Sequence, residues 1–167
     1  AAGHSRRMGQ AKLLLPLGGE TVIARILGTL RIPESTETVV VVRKNDERLR
    51  DAVIQAGASV VQPSVDPPDM RTSVTHALRT IAERWNPDPQ DAWLLSPADH
   101  PALDRALIQS LAQRWQQTAE PILVPVHAGR RGHPTLFAWS LNEQIAQIPA
   151  GEGLNRLLKS QTISELP

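Results

Sequence analysis

The sequence predicts a three-layer α/β domain with a mostly parallel sheet, a single domain over residues 1–167. Three observations predict it. Strand-like and helix-like patterns alternate through most of the chain, which is the pattern of strands covered by crossover helices. The run TVVVV at 38–42 is apolar on both faces, as a strand buried in a parallel sheet must be. The loops richest in chemistry follow strand ends, where ligands bind in open α/β sheets.

Each element has its own local reason. Gly18 and Gly19 predict a turn, and Val22, Ile23, Ile26, Leu27 and Leu30 then fall on one helical face that Pro33 ends. After the strand at 38–42, Asn45 is the expected N-cap of a helix carrying Leu49, Val53 and Ile54, with Gly57 as its stop. A short strand is expected at 58–61. The proline-rich stretch QPSVDPPDM predicts a loop, followed by a helix with Val74, Ala77, Leu78, Ile81 and Trp85 inward. NPDPQ marks a turn, and 92–95 reads as a buried strand running into SPADHP. Asp104 is placed to cap a helix whose apolar face is Leu107, Ile108, Leu111 and Trp115. Strands are expected at 122–126 and within HPTLFAW, and Ser140 with Glu143 has the spacing of a capping box. A last helix is expected from about Glu152, carrying Leu154, Leu157 and Leu158.

Composition bounds the function. With 41% hydrophobic and 21% charged residues the chain has the makeup of a globule with a core. A net charge of +1 predicts no nucleic-acid partner, and no apolar run is long enough to predict a membrane span. The absence of cysteine excludes disulfides and thiolate metal sites, and fits a cytoplasmic location.

The first residues, AAGHSRRMGQAK, combine flexible glycines with arginines and a lysine. Free backbone N–H groups and fixed cations suit a polyphosphate. Arginine grips phosphate oxygens with a planar fork, and lysine acts as a mobile point charge. A basic surface turn is the alternative. The spacing is neither Walker A nor G-x-G-x-x-G: five residues separate Gly3 from Gly9, and Leu13 follows Lys12.

Asp99 follows a buried strand within S-P-A-D-H-P. A strand-end carboxylate can hold Mg²⁺, which prefers hard oxygen ligands. An aspartate that merely forms a turn is the alternative. Glu152 is either a second metal ligand or an acidic residue favoured by a helix dipole. His4, His100 and His133 lie on three loops, and nothing in their spacing requires a zinc site.

The stretch AAGHSRRMGQAKLLLP resembles the signature of the MobA-like NTP transferases, the molybdenum cofactor nucleotidyltransferases and their relatives. The matching positions are Ala1, Ala2, Gly3, Ser5, Arg7, Met8, Gly9, Lys12, Leu14, Leu15 and Pro16. The resemblance implies a Rossmann-like α/β/α nucleotidyltransferase fold of GT-A-like type. The family's first strand and a C-terminal strand and tail would lie outside residues 1–167. It implies that Ala1, Ala2, Gly3, Ser5, Arg7, Gly9 and Lys12 surround the nucleotide, with Arg7, Lys12 and Asp99 catalytic. Asp99 would hold Mg²⁺, with Mn²⁺ as a substitute. The segment at 97–101 is similar to the family's G-D-x-P motif, with Ala98 in place of Gly and His100 in place of the usual Gln. Residues 69–73 are similar to G-M-S-S-S-L at Met70 and Ser73 and depart at Asp69 and Arg71. Thr72 or Ser73 would donate a hydrogen bond to the nucleotide there; Asp69 or Thr72 as a plain helix cap is the alternative. Arg131, Gly132, His133 and Pro134 resemble R-G-H-P, which implies binding of a phosphorylated acceptor. A solvated basic hairpin is the alternative. The implied activity is transfer of NMP from an NTP, CTP favoured, to molybdopterin or a similar acceptor. Guanylyl transfer, a sugar-phosphate acceptor and a non-catalytic regulatory nucleotide-binding module remain the alternatives.

Overall fold

The computed structural model describes residues 11–35, 37–149 and 151–167. It divides into two compact units, Ala1–Thr80 with Ala98–Arg105 and Ile81–Pro97 with Ala106–Pro167. Among the described residues no helix is long and apolar enough to cross a membrane.

In the first unit a 3-10 turn at Lys12–Leu14 leads into a hairpin of β1 (Pro16–Leu17) and β2 (Glu20–Thr21). Gly18 and Gly19 make its two-residue turn with φ of +64° and +91°, a conformation that other residues resist. Helix α1 (Val22–Leu30) starts where the Thr21 hydroxyl accepts the Ala24 N–H, and it buries Val22, Ile23, Ile26 and Leu27. Strand β3 (Val39–Val41), helix α2 (Glu47–Gln55) and β4 (Ser59–Val61) form a parallel βαβ unit, with Val40 opposite Val60. The cap of α2 is Asp46, not the expected Asn45: Asp46 Oδ1 accepts the Leu49 N–H at 3.2 Å. The core of this unit is Ile23, Leu27, Val40, Val42, Leu49, Val53 and Ala58. Leu13, Leu14 and Ala98 pack against it.

Helix α3 (Met70–Trp85) runs from the first unit into the second. It buries Val74 and Leu78, as its spacing predicts, but Trp85 is exposed at the last position. The second unit contains β5 (Ala92–Leu95), nearly all of α4 (Arg105–Trp115), β6 (Ile122–His127), β7 (Arg130–Arg131) and β8 (Thr135–Ala138). They are followed by a 3-10 turn, α5 (Asn142–Ala146), α6 (Asn155–Ser160) and β9 (Ile163–Leu166). Leu111, Leu123 and Leu136 form a core cluster, and Trp93 stacks on Phe137 with ring centroids 4.6 Å apart.

The sheet pairing is mixed rather than mostly parallel. Parallel pairs are β3 with β4 and β6 with β9, whereas β8 runs antiparallel to both β5 and β6. Insertion of β8 leaves β5 and β6 pointing the same way without pairing. The expected capping box does not form. Ser140 lies inside the 3-10 turn Trp139–Leu141, so it lacks the extended backbone of a cap, and α5 has no side-chain cap. The last helix starts at Asn155 rather than near Glu152, because Gly151 and Gly153 flank Glu152 and glycine disfavours helix. The strand β9 is a finding that the sequence reading did not place.

Candidate functional site

Within the first unit the structure brings together two residues far apart in sequence. Lys12 opens the 3-10 turn, and the leucines after it are seated on the unit's core. Asp99 follows Ala98, which packs on that same core. The two side chains therefore emerge from neighbouring anchors, and Lys12 Nζ lies 3.7 Å from Asp99 Oδ2. Both are open to solvent, at 39% and 59% of their side-chain surface. An exposed pair of this kind contributes only about 0.5 kcal/mol, so a ligand can exchange it readily. Ala1, Ala2, Gly3, Ser5, Arg7 and Gly9 lie outside the described residues.

The donor set decides which metal the site suits. Among the described residues no three His, Cys, Asp or Glu side chains converge on one point. Asp99 offers a solvent-facing carboxylate beside the Lys12 ammonium. That fits Mg²⁺ or Mn²⁺ held by one carboxylate, substrate phosphates and water, and does not fit an all-protein cage. Glu152 belongs to the second unit, where both its oxygens accept from Arg156 Nη1, at 2.9 and 2.7 Å.

The 69–73 segment forms the start of α3. Asp69 Oδ1 accepts the Thr72 N–H at 2.6 Å, and Asp69 O accepts from the Ser73 N–H and hydroxyl. The Thr72 backbone N–H, then its side chain, and finally the Arg71 charge hold the Asp69 carboxyl below its usual value of 3.8. Burial opposes this shift. Asp69 departs from the resembled motif because it serves as a helix cap, and the Thr72 and Ser73 polar groups serve that helix start.

The acceptor candidates belong to the second unit. Arg131 lies on β7, and Gly132, His133 and Pro134 connect it to β8 through a cis His133–Pro134 bond. Gly132 N–H donates to Pro125 O at 2.9 Å, and Pro134 is fully buried, so the segment is fixed against β6. Arg131 Nε donates to Glu165 Oε1 at 2.8 Å. Glu165 was missed by sequence reasoning. Its place depends on β9 pairing with β6, a non-local register whose only local signal is the β-branched Thr162 and Ile163.

The first unit thus carries a lysine and a carboxylate that follows a strand on one α/β core. The chain belongs to the MobA-like NTP transferase domain family, whose model matches residues 1–165. It is 33% identical over 138 residues to bifunctional protein GlmU of Leifsonia xyli subsp. xyli, covering 80% of this chain. The chain spans only 28% of the length of that relative. Among solved structures it is similar to Rv0371c of Mycobacterium tuberculosis H37Rv, with a TM-score of 0.82 and 25% identity over 99% of this chain and 84% of that one. Rv0371c has also been solved as a manganese complex, with a TM-score of 0.72 and 23% identity over 93% of this chain and 79% of that one. Molybdopterin-guanine dinucleotide biosynthesis protein A of Archaeoglobus fulgidus shares the fold. Its TM-score is 0.71 at 15% identity, over 99% of this chain and 80% of that one.

Proposed function

We propose that the domain transfers a nucleoside monophosphate from an NTP to a phosphorylated small-molecule acceptor and releases pyrophosphate. CTP as donor and molybdopterin as acceptor are the favoured pair. The observation that carries this reading is the approach of Lys12 Nζ to Asp99 Oδ2 at 3.7 Å. It pairs the phosphate-binding cation with the metal-binding carboxylate on one core. In the reaction an acceptor phosphate oxygen bonds to the α-phosphorus, and the α–β bridging bond breaks with its electrons on pyrophosphate. Asp99 would hold Mg²⁺, which when bound would supply neutralisation of charge on the α-phosphate. Lys12 and Arg7 carry the charge of the β- and γ-phosphates and steady the leaving group. By the resemblance, Ala1, Ala2, Gly3, Ser5 and Gly9, which lie outside the described residues, would surround the nucleotide. The resemblance supports contact of Thr72 or Ser73 with the nucleotide and, separately, binding of the acceptor by Arg131, Gly132, His133 and Pro134. Positioning and charge neutralisation suffice for transfer at phosphorus, and no residue acts as a covalent nucleophile.

A second donor, GTP, is favoured by one observation. Asp69 and Arg71 depart from the cytidylyltransferase pattern, and Asp69 is committed to capping α3. The test is the shift in melting temperature with CTP, GTP, ATP and UTP, with and without Mg²⁺. A ligand that binds the native state raises the melting temperature by mass action. The expected outcome is a Mg²⁺-dependent rise with CTP that disappears in Asp99→Ala. A rise with GTP alone would replace CTP as the donor. No rise with any nucleotide would overturn the assignment.

A further inference from the structure

We infer that Lys12 makes the Asp99 carboxylate select a divalent cation carried by a triphosphate over the same cation free in solution. The inference rests on the proposed reading of this site. Its starting point is that Lys12 Nζ already lies 3.7 Å from Asp99 Oδ2, close to where a metal bound to that oxygen would sit. A free dication must displace the ammonium from that oxygen. It gains the Asp99 carboxylate but no cage, since among the described residues no group of three potential ligands surrounds it. It must also tolerate a positive charge tethered nearby, and like charges at such distances repel even in water.

A cation arriving on a triphosphate meets different terms. The phosphates complete its oxygen shell and bring negative charge of their own. Lysine is a point charge on a flexible four-carbon stem, so it swings from Asp99 to the phosphates. The ammonium is then relocated rather than stranded. By linkage, triphosphate tightens metal binding by the same factor as metal tightens triphosphate binding. Lys12 thus has two opposite effects on one site: it opposes the bare cation and favours the cation–nucleotide complex.

The opposite signs make the test specific. Binding of Mn²⁺ alone is followed by the electron paramagnetic resonance signal of the free ion. It is then repeated with α,β-methylene analogues of CTP and GTP, whose α–β linkage does not break. Lys12→Met removes the charge and keeps the length; Lys12→Arg keeps a charge; Asp99→Asn removes the anionic ligand. Lys12→Met is expected to bind Mn²⁺ alone about two- to fivefold more tightly than the unmodified protein, the range for an exposed, salt-screened charge. The same variant is expected to bind Mn²⁺ with the analogue at least about tenfold more weakly, through loss of a charge-assisted contact. Lys12→Arg should follow the unmodified protein for Mn²⁺ alone, which also controls for folding. Unchanged or weaker binding of Mn²⁺ alone by Lys12→Met, with Asp99→Asn still abolishing it, would overturn the inference and leave the site standing. Binding of Mn²⁺ that is indifferent to Asp99→Asn, with no binding of either analogue, would overturn both.

Discussion

Lys12 and Asp99 show how a residue's chemistry can be separated from its contribution to the fold. Their side chains are substantially exposed, while the residues beside them, Leu13, Leu14 and Ala98, pack on the first unit's core. Removing the Lys12 ammonium should therefore leave the fold almost untouched. Lys12→Ala is expected to change stability by no more than about 0.5 kcal/mol, as exposed substitutions do. Turnover should fall by about a hundredfold or more, the scale for losing one preorganised electrostatic contact to a transition state. Melting curves and pyrophosphate release measured on the same preparation check both halves. An active Lys12→Ala protein would sink the role assigned to Lys12. Residue type makes these two residues candidates, the family resemblance is what ranks them, and their approach to 3.7 Å is visible only in the structure. Glu165 was not legible in the sequence, because its partner Arg131 is supplied by a strand pairing that no local pattern announces.

At the scale of elements, the start of α3 is where the structure chooses between two readings of one segment, and the helix cap at Asp69 is the one it shows. Asp69 breaks the resembled motif and caps the helix instead, accepting the Thr72 N–H at 2.6 Å. Asp69→Ala is expected to lower stability by about 1 kcal/mol at neutral pH, the usual value of an N-cap. The sign of its pH dependence follows from the direction of the shift. The folded carboxyl titrates below its unfolded value of 3.8. Its stabilisation is thus fully present above that value and is lost as pH falls through the folded value. The stability difference between the protein and Asp69→Ala should be flat from neutral pH down to about 5 and shrink below about 4. Urea unfolding across that range measures it, and a difference that grows in acid would contradict the capping geometry. Other elements were legible to differing degrees. Strands 92–95 and 58–61 were readable from apolar runs between turn signals. Asp46 could not be told from Asn45 by residue type, since both are good caps. The choice is made by the geometry around Asp46, whose carboxylate also accepts from Arg43 Nη2 at 3.2 Å. The parallel strand order failed at β8, because a strand inserted by a hairpin looks locally like any other.

For the whole molecule, the two units divide the proposed reaction between two cores. Lys12 and Asp99, proposed for nucleotide and metal, belong to the first unit, whose cluster includes Leu49 and seats Leu13 and Ala98. The acceptor segment belongs to the second, where Leu136 follows Thr135 directly and packs with Leu111 and Leu123. Leu49 and Leu111 are buried to 3% and 0% exposure, so truncating either leaves a cavity in its own unit. Each Leu→Ala change is expected to destabilise by about 2–5 kcal/mol, lowering the melting temperature by several degrees. The functional effects should differ. Leu49→Ala loosens the seats of Lys12 and Asp99 and should weaken Mg²⁺–NTP binding with little effect on the acceptor KM. Leu111→Ala loosens the support beneath β8 and should raise the acceptor KM while leaving Mg²⁺–NTP affinity close to that of the unmodified protein. Both constants, measured well below either variant's melting temperature, decide the matter. If both variants lost both functions in proportion to their lost stability, the roles would not be divided between the units. A crossed pattern would tie each half of the chemistry to the core that holds its residues.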